Sequence, residues 1–190
     1  MKLGVLALQG DVREHLAALD AAGATPVAVR YDHELADVDG LVVPGGESTT
    51  IGKLLDRFGL LGPLTERARA GMPVYGTCAG AILLARDVLG DQDAPHRIGL
   101  LDVGIRRNAY GRQVDSFEAD LAIAGIDDPF RAVFIRAPVI ERVGEGVEVL
   151  ASHGGAPVLV RHGALLASTF HPEMTGDNRV HELFYEIAKG

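Results

Sequence analysis

The chain's only cysteine, Cys78, lies in the segment Val74-Tyr75-Gly76-Thr77-Cys78-Ala79-Gly80. A thiol between a short apolar run and a helical pattern, with glycines two residues away on each side, has the spacing of a nucleophile elbow. Side chains flanking so tight a turn would clash, and Gly76 and Gly80 remove them. A helix starting at Ala79 would aim its positive N-terminus at the sulfur and favour thiolate over thiol. The other reading of such a cysteine is a buried packing residue.

A thiolate nucleophile needs a base that takes its proton and later protonates the leaving group. Ser168-Thr169-Phe170-His171-Pro172-Glu173 offers one. An imidazole suits both steps near neutral pH. Glu173, two residues on, could fix its tautomer, with Pro172 stiffening the spacing. A surface turn accounts for the same tripeptide. The remaining histidines have no such setting. His15 and His181 fall in helical patterns and read as solvated or packing residues.

The third segment is Val43-Pro44-Gly45-Gly46-Glu47-Ser48-Thr49. A glycine pair between strand and helix leaves peptide N–H groups unobstructed, and such donors can hold the oxyanion formed when a thiolate attacks an amide. The same residues also suit a glycine turn with Ser48 or Thr49 as helix N-cap. No Gly-Lys-Ser/Thr follows, which argues against a phosphate loop.

These segments need a scaffold that brings them together. Leu3–Leu8, Pro26–Val29, Leu41–Val43 and Pro73–Gly76 read as strands. Val12–Ala22, Thr49–Phe58, Leu64–Ala70 and Ala79–Ala85 carry helical spacing between and after them. That βαβα rhythm predicts a parallel sheet with helices on both faces, and places Cys78 at the carboxyl ends of the strands, where such sheets bind ligands. The second half is β-rich: Ile98–Ile105, Ser116–Ile123, Ala132–Ile135, Val147–Ser152, Pro157–Arg161 and Leu165–Phe170. Gly154-Gly155 and His162-Gly163 suit hairpin turns. A final helix spans Asn178–Ala188. The expected fold is a three-layer α/β sandwich with a mostly parallel central sheet and antiparallel strands in the C-terminal half. Without repeat or linker, residues 1–190 read as a single domain.

The bulk composition narrows the partners. Lys and Arg number 18 against 26 Asp and Glu, a net charge of −8. Nucleic acid and anionic membranes both require a cationic face, so neither is expected. One cysteine excludes an internal disulfide framework. The start lacks the pattern of a secretory leader, and the apolar runs are of strand length, so a cytoplasmic enzyme without metal or cofactor is expected.

Taken together, Pro44–Ser48, Gly76–Gly80 and Phe170–Glu173 resemble the class I, triad-type glutamine amidotransferases. Leu8-Gln9-Gly10-Asp11-Val12-Arg13-Glu14-His15 and the run Arg107-Asn108-Ala109-Tyr110-Gly111-Arg112-Gln113-Val114-Asp115-Ser116-Phe117-Glu118 narrow the resemblance. It is to the glutaminase subunits of two-protein pyridoxal 5′-phosphate synthases, and it covers essentially the whole chain. The resemblance implies hydrolysis of L-glutamine to L-glutamate and ammonia. The ammonia would pass to a barrel-type synthase subunit of the same hetero-oligomer. It implies a triad of Cys78, His171 and Glu173, a glutamine-binding and oxyanion loop at Gly46, Glu47 and Ser48, and substrate contacts at Arg107, Ile135 and Arg136. Ala81-Ile82 departs from the polar glutamine common elsewhere in the class, and fits the pyridoxal phosphate branch. The Gln9–His15 segment could face the partner, or be a helix start with solvated charges.

Two other readings use the same residues. One is a stand-alone hydrolase that needs no partner. The other is a non-enzymatic redox sensor, which requires an early-loop acid such as Glu47 beside Cys78 and leaves His-Pro-Glu without a purpose.

Overall fold

The computed structural model describes residues 1–90, 96–107 and 116–190. The Asn108–Asp115 part of the expected motif lies outside them. The first half alternates as the periodicity predicts: β1 (Lys2–Leu6), α1 (Val12–Ala21), β2 (Thr25–Val29), α2 (Asp32–Ala36), β3 (Gly40–Val43), α3 (Ser48–Arg57), α4 (Leu61–Arg69), β4 (Val74–Thr77) and α5 (Ala79–Leu84). Then come β5 (Ala85–Val88), β6 (Leu101–Arg106), β7 (Ser116–Leu121), β8 (Phe130–Ile135), β9 (Val139–Val143), β10 (Glu148–His153), β11 (Ala156–His162) and β12 (Leu165–Ser168). A 3-10 turn at Pro172–Met174 precedes α6 (Arg179–Lys189).

Seven strands form the central sheet in the order β10-β11-β12-β4-β3-β1-β2. Pairings from β2 through β12 are parallel, whereas β12–β11 and β11–β10 are antiparallel. The mixed sheet therefore has the expected composition. β12 runs parallel to β4 with Ser168 opposite Thr77, so the ends of the two strands carrying the candidate residues leave the sheet side by side.

Side chains alternate across this sheet and divide the core in two. Leu6, Leu41, Val43 and Val74 pack with Ile51 and Leu55 of α3, Leu64 of α4 and the wholly buried α5. Leu3, Val5, Val42 and Tyr75 face the other way, against Leu19 of α1 and Val180 and Phe184 of α6. The layers are helix, sheet, helix. Burying one such Leu or Phe side chain is worth about 1.5–3 kcal/mol, so the two apolar faces dominate the stability of the sandwich.

Several boundaries and elements differ from the sequence reading. Residues 98–100 precede β6 without joining a strand, and Ala85 opens β5 instead of ending α5. β5, β6 and β9 form a separate three-stranded sheet, and β7 pairs with β8 as a hairpin. α2, β5 and β9 were not anticipated, because each has only four or five residues, too few to establish a period. The glycine turns after β10 and β11 are where the composition placed them. Gly154, Gly155 and Gly163 all take positive φ there. Among the described residues, no helix is long and apolar enough to cross a membrane.

Candidate active site

Cys78 caps the N-terminus of α5 with φ 48° and ψ −99°, a backbone conformation that non-glycine residues rarely hold. Its amide donates to the Ser168 carbonyl at 2.8 Å, which ties the elbow to β12. A Cβ on Gly80 would lie 2.0 Å from the carbonyl oxygen of Val43, and one on Gly76 would lie 2.5 Å from the Gly80 carbonyl. Only glycine fits either place, as the spacing in the sequence implies.

His171 follows β12 at the same edge. Its amide donates to the Val133 carbonyl at 2.8 Å, so β8 helps to place it. The ring donates from Nδ1 to Glu173 Oε1 at 2.7 Å, and Asp11 Oδ2 stands 3.5 Å from the same nitrogen. Cys78, His171 and Glu173 are all buried, and the Glu173 side chain is inaccessible. Burial disfavours a charged imidazole, but hydrogen bonding to Asp11, Cys78 and Glu173 outweighs it. His171 is pushed up to about 12. The imidazolium is therefore the stable form of this ring, and it stands beside the sulfur.

A cleft of about 430 Å³ opens over this pair. Gly46, Glu47 and Ser48 line one side. Arg107, Ile135 and Arg136 line another, with the Ile135 carbonyl 3.9 Å from Cys78 Sγ. Arg136 has φ 46°, a strained turn that ends β8 at the cleft wall. Of the residues expected from sequence, Glu173 alone lies behind the cleft and not on it, which suits an acid that acts through His171.

Glu47 departs from expectation. It is the N-cap of α3 in place of Ser48 or Thr49, and its carboxylate accepts from the amides of Thr49 at 3.0 Å and Thr50 at 2.7 Å. It also accepts from the Thr50 hydroxyl at 2.6 Å. That carboxylate is committed to the helix, so the redox-sensor reading loses the acid it needed. The Glu47 amide donates to Gln9 Oε1 at 2.9 Å. Behind it, a Cβ on Gly10 would lie 1.8 Å from the Gly45 carbonyl oxygen, so the Gln9-Gly10 turn backs the loop by direct backbone contact.

Sequence reasoning missed three participants. Gln9 and Asp11 were read only as part of a segment near the cleft. His15 was read as solvated or packing, yet it is wholly buried with Nε2 3.5 Å from Glu173 Oε2. His181 is buried against it, with its Nε2 2.9 Å from His15 Nδ1. A histidine amid the apolar positions of α1 was the available signal for His15. Asp11, His171 and Glu173 each bring a ligand atom within 4.8 Å of the others, a spacing a cation could use. His171 Nδ1 is already spent on Glu173, so the cluster reads as a hydrogen-bonding group.

An open α/β sheet with a strained cysteine elbow, and a histidine–acid pair at the end of the neighbouring parallel strand, defines the glutamine amidotransferase class. Comparison with known proteins agrees. A solved structure described as a glutamine amidotransferase matches at TM-score 0.94 with 52% identity, covering 99% of each chain. A putative GMP synthase subunit from Thermoplasma acidophilum, 17% identical at TM-score 0.67, shares the fold. Proteins named pyridoxal 5′-phosphate synthase subunit PdxT are 60% identical in Mycobacteroides abscessus and 62% identical in Frankia casuarinae. They cover 98% and 99% of this chain, and 97% and 95% of their own lengths. The SNO glutamine amidotransferase family profile matches residues 5–189. This chain belongs to the SNO glutamine amidotransferase family.

Proposed function

We propose that the chain is the glutaminase subunit of a pyridoxal 5′-phosphate synthase, acting in the cytoplasm. It hydrolyses L-glutamine and delivers the ammonia to a barrel-type synthase partner in a hetero-oligomer. The observation that carries the reading is that His171 shares a cleft with Cys78 and is held from behind by Glu173 through a 2.7 Å hydrogen bond, in a chain 60% identical to named PdxT subunits.

The Cys78 thiolate attacks the side-chain amide carbon of glutamine, and the carbonyl oxygen becomes an oxyanion. The His171 imidazolium gives its proton to the amide nitrogen, which leaves as ammonia, and a thioester remains. Neutral His171 then takes a proton from water, whose hydroxide attacks the thioester. Glutamate leaves, and the proton returns to the Cys78–His171 pair. Glu173 holds His171 in the Nδ1–H form and balances its charge.

Arg107 and Arg136 supply charge for the substrate carboxylate. Peptide N–H groups of the Gly46–Glu47 loop hold the oxyanion. The Glu47 amide is spent on Gln9 in this conformation. Gly46, at φ 145°, allows the loop to turn at low cost, and docking of the synthase supplies the energy. One missing oxyanion donor costs roughly 10²–10³ in turnover, so the free subunit wastes little glutamine.

The test is glutamine hydrolysis by the purified chain with and without a barrel-type synthase, alongside Cys78→Ala. Turnover should rise on complex formation and vanish in the variant. Unchanged turnover without a complex would make the chain a stand-alone hydrolase, and turnover by Cys78→Ala would remove the nucleophile.

A further inference from the structure

Glu173 has two carboxylate oxygens, and His171 occupies one. The other, Oε2, is buried without a well-formed hydrogen bond, and His15 Nε2 faces it at 3.5 Å. His15 Nε2 also lies 3.2 Å from Thr77 Oγ1, and His15 Nδ1 lies 2.9 Å from His181 Nε2. His15, Thr77 and His181 are fully buried and come from α1, β4 and α6, so both helices of one layer converge behind the triad acid.

Burial holds both rings neutral. His15 lies well below the ordinary histidine value, pushed further by His181 and His171, and His181 is lowered to about 4. Each ring therefore has one donor and one acceptor. If His15 carried its proton on Nδ1, His181 would have to carry its own on Nδ1, where no partner exists among the described residues. That arrangement orphans a buried donor and turns a lone pair of His15 toward a carboxylate. The opposite arrangement gives each ring proton an acceptor: His181 Nε2–H donates to His15 Nδ1, and His15 Nε2–H points at Thr77 Oγ1 and Glu173 Oε2, which leaves only a lone pair on His181 Nδ1.

Resting on the triad reading above, we propose that His15 and His181 are positioning residues of the glutaminase site. They form a two-histidine buttress that donates to the second oxygen of Glu173 and so aims the first at His171. The donated hydrogen bond keeps the carboxylate from rotating, so that its first oxygen stays 2.7 Å from His171 Nδ1. The other titratable groups facing Glu173 are Tyr75 of β4, which is buried and raised well above its ordinary value, and Asp11 across the His171 ring.

The experiment compares His15→Gln with His15→Asn in the full chain, complexed with a barrel-type synthase. A glutamine places an N–H where Nε2 stands, whereas an asparagine reaches only the Nδ1 position. His15→Gln should stay within about threefold of wild-type kcat. His15→Asn should lose about tenfold or more in kcat with little change in KM, the size expected for a lost hydrogen bond to a charged group. Equal kcat in the two variants would overturn the buttress. Loss of activity in Cys78→Ala and Glu173→Gln, measured alongside, would leave the triad standing in that case. Retained activity in those two would instead sink the triad reading. If His15→Asn fails to fold, imidazole nitrogen shifts of the wild-type chain decide. His15 and His181 must both be Nε2–H tautomers, and an Nδ1–H proton on His15 refutes the proposal.

Discussion

His181→Phe converts the burial of one imidazole into a measurable acid sensitivity. The ring packs between Tyr75 and His15 on the buried face of α6, and phenylalanine, a little larger, keeps an aromatic ring there. At pH 7 the variant loses the Nε2–H donated to His15 and leaves that acceptor orphaned, a cost of about 1–3 kcal/mol. In acid the sign turns. The folded chain holds His181 down at about 4 against an ordinary 6.5, so between these values the unfolded chain binds a proton that the folded chain refuses. Stability from this residue is whole above pH 6.5 and falls by about 1.4 kcal/mol per unit toward pH 4. Lowering the pH from 7 to 4.5 should therefore cost the wild type about 2.5–3 kcal/mol more than the variant. That is a large share of the roughly 5–15 kcal/mol of a typical domain. The carboxylates, His15 and His171 are present in both chains, so most of their effect cancels in the difference. The assay is urea denaturation followed by far-ultraviolet circular dichroism, which suits a chain without tryptophan. The stability gap should close or reverse at pH 4.5. A gap constant to within about 0.5 kcal/mol across this range would show that residue 181 is not held neutral by burial.

Removing Cys78 or His171 should each cost several orders of magnitude in glutamine turnover, and removing both should cost little more; additive losses would show that they share no step. Gly80→Ala places a Cβ 2.0 Å from the Val43 carbonyl oxygen, so the elbow must give way. That variant should lose more than about 3 kcal/mol or fail to express in soluble form, and a wild-type melting temperature would contradict the packing. Glu47→Ala removes the α3 cap and should cost about 1–2 kcal/mol in urea denaturation. Arg131→Ala breaks exposed pairs with Glu118 and Asp120 and should cost under about 1 kcal/mol; a larger loss would mean that the β7–β8 hairpin depends on them.

Much of this protein is written in local pattern. The alternation of apolar runs with helical stripes determined a parallel sheet covered on both faces, because the two periods cannot be satisfied otherwise. Gly76 and Gly80 determined an elbow at Cys78, because no side chain fits between β4, α5 and the end of β3. His-Pro-Glu set the acid two residues from its imidazole, and the 2.7 Å hydrogen bond needs only that local turn.

The tertiary structure decided which elements became neighbours. Strand order put β12 beside β4, and so His171 beside Cys78, although 93 residues separate their contact at Tyr75 and Ser168. The commitment of Glu47 to a helix cap, the grip of Gln9 on the oxyanion loop, and the burial of His15 against His181 were illegible for the same reason. The last contact joins residues 166 positions apart. A sequence period states which face of a helix turns inward, but not what waits there. Whether an inward histidine becomes filler or a hydrogen-bonded support depends on the group that another element delivers to it. For His15 that group is the second oxygen of Glu173, brought within 3.5 Å only when α1 packs beneath the end of the sheet.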